Sequence, residues 1–486
     1  MRFQFKDLLP ICIVSIGIFL FVIDLFIINV SLPTIQHSLQ LSNSSSQWII
    51  ILYIIGYASL LINAGKAGDY YGKKKLYLLG MAGFTFASLL CGISDNIYVL
   101  LSGRFLQGIS SGLMVPQGIA LITVLFDNQE QRSRAMGIYG SIAGIASVLG
   151  QLLGGILPDQ SWLDESWRLI FLINIPIGII ALFTAFRYVP NDRINSTSRI
   201  SPIPMITLFI LLLGLIYPLI MGPELGWPIW CILIFGTALI LIILFLIKQR
   251  SQYRSGQESL INFALFKKRI FNLGIAAAFA YYMVQDAYFI INSNYLQNDK
   301  GYTPTMTGIA FVYQGIGYVL ASLIVGKFIQ RNGKFIVLIG LGTMIIGLLF
   351  HFLVLNKVDV RQDLVHMLFF FYGLGCGSVL PSLMTLALKD IRKEHIGVAS
   401  AVYLTIQQLA ICLGIVFVVG LFLHDDKSAF LNLKHITAAY GKATLLSVLL
   451  LIAVVFFIAF FPRPKKNMNN DLLDSSILED HVERQT

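Results

Sequence analysis

The sequence predicts an all-α membrane protein with fourteen transmembrane helices, ordered as six, two and six. Three observations carry this reading. Of the 486 residues, 56% are hydrophobic and only 12% are charged, whereas a soluble domain carries about 25% charged residues. Apolar runs of spanning length recur along the chain, and fourteen spans of ~21 residues account for roughly 290 residues. Short motifs recur at a nearly constant separation. Mean hydropathy is +0.77, more apolar surface than a soluble core can bury. A soluble enzyme, a disordered chain and a single-pass receptor are excluded, and the loops are too short for a large soluble domain.

The spans are expected at 8–32, 47–64, 76–93, 98–124, 136–157, 168–187, 203–221, 228–247, 270–295, 304–328, 333–355, 364–388, 396–423 and 440–461. The first run is too long for a signal-peptide core and lacks a small-residue cleavage site, so it is expected to stay as a span. An even number of spans puts both termini on one side. On this reading 26 of the 35 Lys and Arg residues fall on the side of the termini and 7 on the other. The positive-inside rule therefore places both termini in the cytoplasm of a cell inner or plasma membrane. The net charge of +10 expresses this topology rather than nucleic-acid binding. The expected organisation is a six-helix bundle over 1–190 and cytoplasmic linkers flanking two inserted spans over 191–262. A second six-helix bundle follows over 263–466, with a disordered cytoplasmic tail over 467–486. The five cysteines sit in apolar runs without CxxC spacing, which argues against a metal site or disulfides.

The repeat is visible in the motifs. Gly65-Lys66-x-x-Asp69-x-x-Gly72-Lys73 follows span two, and Gly326-Lys327-x-x-Gln330-x-x-Gly333-Lys334 follows span ten, 261 residues later. Gly112 to Pro116 echoes Gly377 to Pro381, Gly137 echoes Gly397, and Asp24 has a near-counterpart in Asp286. Spans one to six thus match spans nine to fourteen in the same orientation, with spans seven and eight inserted. Parallel halves of this kind are a transporter architecture, with the substrate site near the midplane between them.

These residues resemble the major facilitator superfamily. The loop from Gly65 to Lys75 looks like its signature between helices two and three, and Leu100 to Gly112, with Arg104 and Gln107, looks like its helix-four motif. Ile23-Asp24-Leu25-Phe26-Ile27-Ile28-Asn29 and Trp167-Arg168-Leu169-Ile170-Phe171-Leu172-Ile173-Asn174-Ile175-Pro176 are similar to motifs of the fourteen-helix drug:proton antiporter family. The family's helix-five antiporter motif departs here. Gly150-Gln151-Leu152-Leu153-Gly154-Gly155 carries Gln151 where the family has proline. The resemblance implies two pseudo-symmetric six-helix halves and proton-coupled export of lipophilic cationic or neutral compounds by alternating access. It also implies that Asp69, with Gly65, Gly72 and Lys73, latches the halves in one state.

Only Asp24, Arg104 and Asp286 place full charges deep in spans. At 1.5 Å per residue, Asp24 lies ~21 Å and Asp286 ~24 Å from the end of the termini, with Arg104 at a similar level. A charge at that depth costs about 2.5–3.5 kcal/mol and calls for a cavity or a partner. Arg104 is expected to pair with Asp24, either as a permanent packing pair or as a proton-released one. Asp286 has no evident cation and is a candidate to carry a proton or attract a cationic substrate. Asn29, Tyr53, Tyr57, Gln107, Gln117, Tyr282, Gln314, Gln407 and Gln408 are candidates to line the cavity, although any single amide could instead join helices. His351 and His366 are expected at outer span ends, and exposure there would make pH sensing possible. No Walker, HExxH or GxSxG motif appears, so ATP is not the expected energy source and no cofactor and no catalysis are expected; the family resemblance implies the proton-motive force instead. The expected partners are the lipid bilayer, protons and a small-molecule substrate, with an adaptor and outer-membrane channel as a further option around a monomeric unit. The rival readings are a dedicated exporter of one metabolite and a non-transporting sensor on the same fold.

Overall fold

The computed structural model describes residues 5–126, 129–191, 203–255, 262–325, 328–357, 360–391, 396–423 and 433–461. Gly326, Lys327 and the 467–486 tail lie outside the described residues. Every regular element among the described residues is helical. Fourteen helices are long and apolar enough to cross a membrane: Leu8–Ser38, Asn43–Leu61, Lys73–Gly92, Ile97–Ile122, Arg134–Ile156, Ser166–Tyr188 and Ile206–Leu225, then Ile229–Arg254, Arg269–Asp299, Pro304–Val325, Gly333–Leu355, Gln362–Leu388, Val398–Leu423 and Ala438–Ala459. They are spans one to fourteen below.

Several boundaries shift by a few residues, and two of the shifts bear on the motifs. Span one runs on through Pro33 to Ser38 and stops only where Gln40 takes a left-handed turn at φ 51°. The Ser42 hydroxyl then accepts from Ser45 N at 3.2 Å and caps span two. The span-two helix itself continues to Tyr71, so Gly65 and Asp69 lie on helix rather than on a loop. The chain reverses at Gly72 alone. Its φ of 94° is open to glycine and strained for other residues.

The two halves share their packing. Span one packs on five as nine packs on thirteen, two on four as ten on twelve, and three on four as eleven on twelve. Glycines make these contacts close in both copies. A Cβ on Gly56 would meet the Phe105 carbonyl, and one on Gly317 would meet the Phe370 carbonyl. Gly108 lies against the Tyr53 carbonyl as Gly373 lies against that of Gln314. Gly154 lies against the Ile27 carbonyl as Gly414 lies against that of Met283. Small residues let helix backbones approach where lipid offers no hydrophobic drive. Lys74 Nζ donates to the Phe186 carbonyl at the end of span six, and Lys334 Nζ donates to the Ala459 carbonyl at the end of span fourteen, at 3.0 and 2.7 Å. A cation at a helix C-terminus is favourable, and the repeat uses it twice.

Spans seven and eight pack on each other, and span seven also touches span two. Most of span eight is exposed, as suits a helix facing lipid.

The halves meet where span five packs on ten, two on thirteen and one on nine. Their polar contacts gather at the end bearing the span one–two and five–six connections. Gln297 Nε2 and Ser293 Oγ donate to the Val30 carbonyl at 2.8 and 3.1 Å. Asp159 Oδ2 accepts from Thr305 N at 2.9 Å, and Asn43 Nδ2 donates to the Leu423 carbonyl at 2.8 Å. Toward the other end of span five, Gly137, Gly140 and Gly144 face open space. The halves are therefore closed at one end and apart along span five at the other.

Candidate functional site

The first site lies inside the N-terminal half. Arg104 Nη1 donates to Asp24 Oδ2 at 2.5 Å, and neither side chain has any exposed surface. Arg104 reaches this point because Gly103 and Gly108 bring span four against spans three and two. Arg104 Nε donates to the Ile49 carbonyl at 2.9 Å, and its guanidinium lies 4.3 Å from the Tyr53 ring centroid. Gln107 Nε2 donates to Asp24 Oδ1 at 3.2 Å and to Ser88 Oγ at 2.8 Å. Asn174 Nδ2 donates to Asp24 Oδ1 at 3.3 Å, and Cys91 Sγ lies 3.6 Å from Gln107 Oε1. Spans one, two, three, four and six thus converge on one carboxylate.

Ser88, Cys91 and Asn174 were not singled out from sequence. Asn174 carried a signal, because it lies inside the Trp167-to-Pro176 motif as an amide in an apolar run. The start of that motif is a brace. Trp167 Nε1 donates to Ser38 Oγ at 2.9 Å, while Arg168 donates to Glu165 and to the Ser94 carbonyl, at 2.8 and 2.5 Å.

The second half holds no copy of the ion pair. The glycine contacts shared by spans two, three and four with spans ten, eleven and twelve set Phe369 where the first half has Arg104, Tyr372 where it has Gln107 and His351 where it has Cys91. An aromatic cluster fills the place. Tyr288 stacks on Tyr372 with centroids 3.9 Å apart, and the Tyr288 hydroxyl lies 3.1 Å from His351 Nε2. His351 is fully buried, contrary to the interfacial placement expected for it. His351 Nδ1 sits 2.7 Å from the Gly347 carbonyl, which only an Nδ1–H can satisfy, so Nε2 accepts from Tyr288. His366 is half-buried and stacks on Tyr313 at 4.5 Å.

Asp286, the near-counterpart of Asp24 by sequence offset, approaches span one from span nine. Asp286 is 5% exposed and makes no ion pair among the described residues. The Asn29 amide approaches its carboxylate, yet neither Asn29 Oδ1 nor Nδ2 closes a hydrogen bond.

The remaining candidates are scattered. Tyr57 lies 4.5 Å from Phe21, ring to ring. Gln117 Nε2 donates to the Ala64 carbonyl at 2.6 Å, joining spans two and four near the Gly72 turn rather than lining a midplane cavity. Tyr282 packs edge-on against Tyr281 and Tyr403. Gln314 and Gln408 are buried, and Gln407 is half-buried. Gln151 is buried with its Oε1 unpartnered. Its carbonyl lies 2.9 Å from where a Cβ on Gly308 would stand, and Gly155 lies against the Pro304 carbonyl. The helix-five motif thus packs on span one through Gly150 and Gly154 and on span ten through Gln151 and Gly155, without the proline. Asp69 is about half-exposed and pairs at 2.7 Å with Lys73, across the Gly72 turn at the start of span three.

The sequence profile of the Major Facilitator Superfamily matches residues 14–415. The chain belongs to the major facilitator superfamily. It is 30% identical to the probable actinorhodin transporter of Streptomyces coelicolor, over 82% of this chain and 70% of that one. It is 31% identical to the multidrug resistance protein Stp of Mycobacterium tuberculosis, over 82% and 72%. It is 29% identical to the methylenomycin A resistance protein of Bacillus subtilis, over 91% and 94%. The crystal structure of a D-xylose-proton symporter superposes with a TM-score of 0.66 at 14% identity, covering 94% of this chain and 98% of that one, which speaks for the fold. The protein is a multi-pass membrane transporter of this superfamily.

Proposed function

We propose that this transporter exports lipophilic cationic or neutral compounds in exchange for protons, by alternating access between two functional units, residues 1–190 and 263–466. The observation that carries the reading is Asp286, a buried carboxylate beside the seam between the halves with no ion-pair partner among the described residues. A buried ionisable group of this kind in a membrane span is suited to exchanging a proton or a cation. Asp24 supplies a second carboxylate. A proton reaching it removes the charge that Arg104 holds and loosens the contact of spans one and four. No cofactor enters this scheme. The proton-motive force supplies about 2.3 kcal/mol per charge per 100 mV.

The distribution of Lys and Arg favours an inner- or plasma-membrane orientation with both termini cytoplasmic. The closed end then faces outward and the protein is caught facing inward. Asp69 bound to Lys73 of its own half fits a latch that has let go. The functional unit is a monomer.

Uptake of a fluorescent cationic dye into inverted vesicles tests the reading. Accumulation should require a proton gradient, collapse with an uncoupler and disappear in Asp286→Asn. Gradient-driven transport that survives in both Asp24→Asn and Asp286→Asn would exclude this proton path. A second reading is export of a single metabolite. It is favoured by relatives named for one compound, such as actinorhodin and methylenomycin A. A panel of unrelated cations separates the two, because a dedicated exporter would move none of them.

A further inference from the structure

We infer that Asn29 and Asp286 form a head-group site that selects protonated primary or secondary amines over quaternary ammonium ions; this rests on the export reading above. Asn29 is 1% exposed, and both polar atoms of its amide lack a partner. An amide inside a membrane protein has no bulk water to fall back on, and leaving it unpaired is costly. It stands on span one, in the N-terminal half, and the carboxylate it approaches stands on span nine, in the C-terminal half. The amide N–H faces that carboxylate, and Oδ1 is the atom left for a guest to pair.

The donor and acceptor inventory fixes the kind of guest. Asp286 carries acceptor oxygens when charged, and Asn29 Oδ1 is a further acceptor. A guest that satisfies both must bring at least two N–H or O–H donors and, to meet the carboxylate, a positive charge. A protonated primary or secondary amine does both. A quaternary ammonium brings the charge but only methyl groups, so Asn29 stays unpaired. Sites that hydrogen-bond a guest reject analogues lacking the donor far more strongly than apolar pockets reject size changes. The surroundings suit an aromatic or aliphatic body. Phe26 and Phe289 meet edge to face at 5.4 Å across the seam, and Tyr282 and Tyr403 stand on spans nine and thirteen. The site joins the two halves, so filling it ties amine recognition to their relative position.

The test uses the purified full-length protein and a matched pair of probes, 4-phenylbutylammonium and its N,N,N-trimethyl analogue. Both carry one positive charge on the same body. Binding is read by intrinsic fluorescence, independently of transport. The wild type should prefer the primary ammonium by roughly tenfold or more. Asn29→Leu should remove that preference while leaving the quaternary probe's affinity unchanged or improved. Asn29→Ser, which keeps a small acceptor, should retain part of it, and it decides the matter if the leucine variant does not fold. Equal binding of the two probes to the wild type overturns the inference. So does an undiminished preference in both Asn29 variants, or failure of the primary ammonium to bind. If the preference is present and depends on Asn29 while dye accumulation ignores the uncoupler, the site stands and proton exchange fails. If dye accumulation follows the gradient and Asn29 is indifferent, the reverse holds.

Discussion

Asp24 and Arg104 are worth more as a unit than either is alone. Removing Arg104 leaves a carboxylate with no water and two amide donors, Gln107 and Asn174. Breaking a buried pair from one side typically costs about 3–5 kcal/mol. Arg104→Ala should therefore lower the melting temperature in detergent far more than the double variant Asp24→Asn/Arg104→Gln, in which both charges go together. A double-mutant cycle measures the difference. Glu165 offers a second test outside the spans. The hydrogen bond from the Ser38 hydroxyl, with the Arg168 guanidinium beside it, holds its carboxyl below the usual range. A lowered native pKa means this stabilisation is whole above about pH 4.3, the unfolded value, and is lost as pH falls through the native one. Glu165→Gln should flatten the acid limb of a stability-against-pH curve by lowering stability slightly at neutral pH and leaving the acid end unchanged, the effect being small because the side chain is 34% exposed.

At the level of single helices, glycine geometry separates rigid contacts from free faces. Gly108→Val and Gly373→Val should both abolish folded yield by size-exclusion chromatography, since each new side chain meets a carbonyl of the neighbouring helix. Gly72→Ala keeps its surroundings but must hold a φ of 94°, a strain of about 1–3 kcal/mol visible as a lower melting temperature. The spans themselves were legible because hydropathy over twenty residues is a strong signal, and the Asp24–Arg104 meeting was legible because full charges at one depth have few alternatives. Azimuth was not. Gln107 and Gln117 sit at depths that suit a cavity, yet both turn to neighbouring helices. Motif offsets drift by several residues between the halves and each residue turns the helix by about 100°, so an offset near 261 did not fix which way Asp286 faces. Asn174 was passed over because one amide in an apolar run looks the same whether it joins helices or braces a carboxylate.

Across the whole molecule, the halves grip each other at one end and stand apart along span five at the other. A disulfide between Asp159→Cys and Thr305→Cys, in a background with Cys12 replaced, should hold the gripped end shut. Transport in vesicles should fall with oxidant and return with reductant. Gly140, which faces open space here, should tolerate leucine in this state, so Gly140→Leu should fold. It should still transport slowly, because alternating access brings that face of span five against the other half. The repeated contacts between glycines and carbonyls have a wider consequence. They are written in main-chain atoms, so the scaffold could be inherited whole while its interior was rewritten. One half kept a salt link and the other exchanged it for stacked rings, leaving a symmetric frame with unequal chemistry. A hinge loaded on one side only need not rest midway between its two extremes.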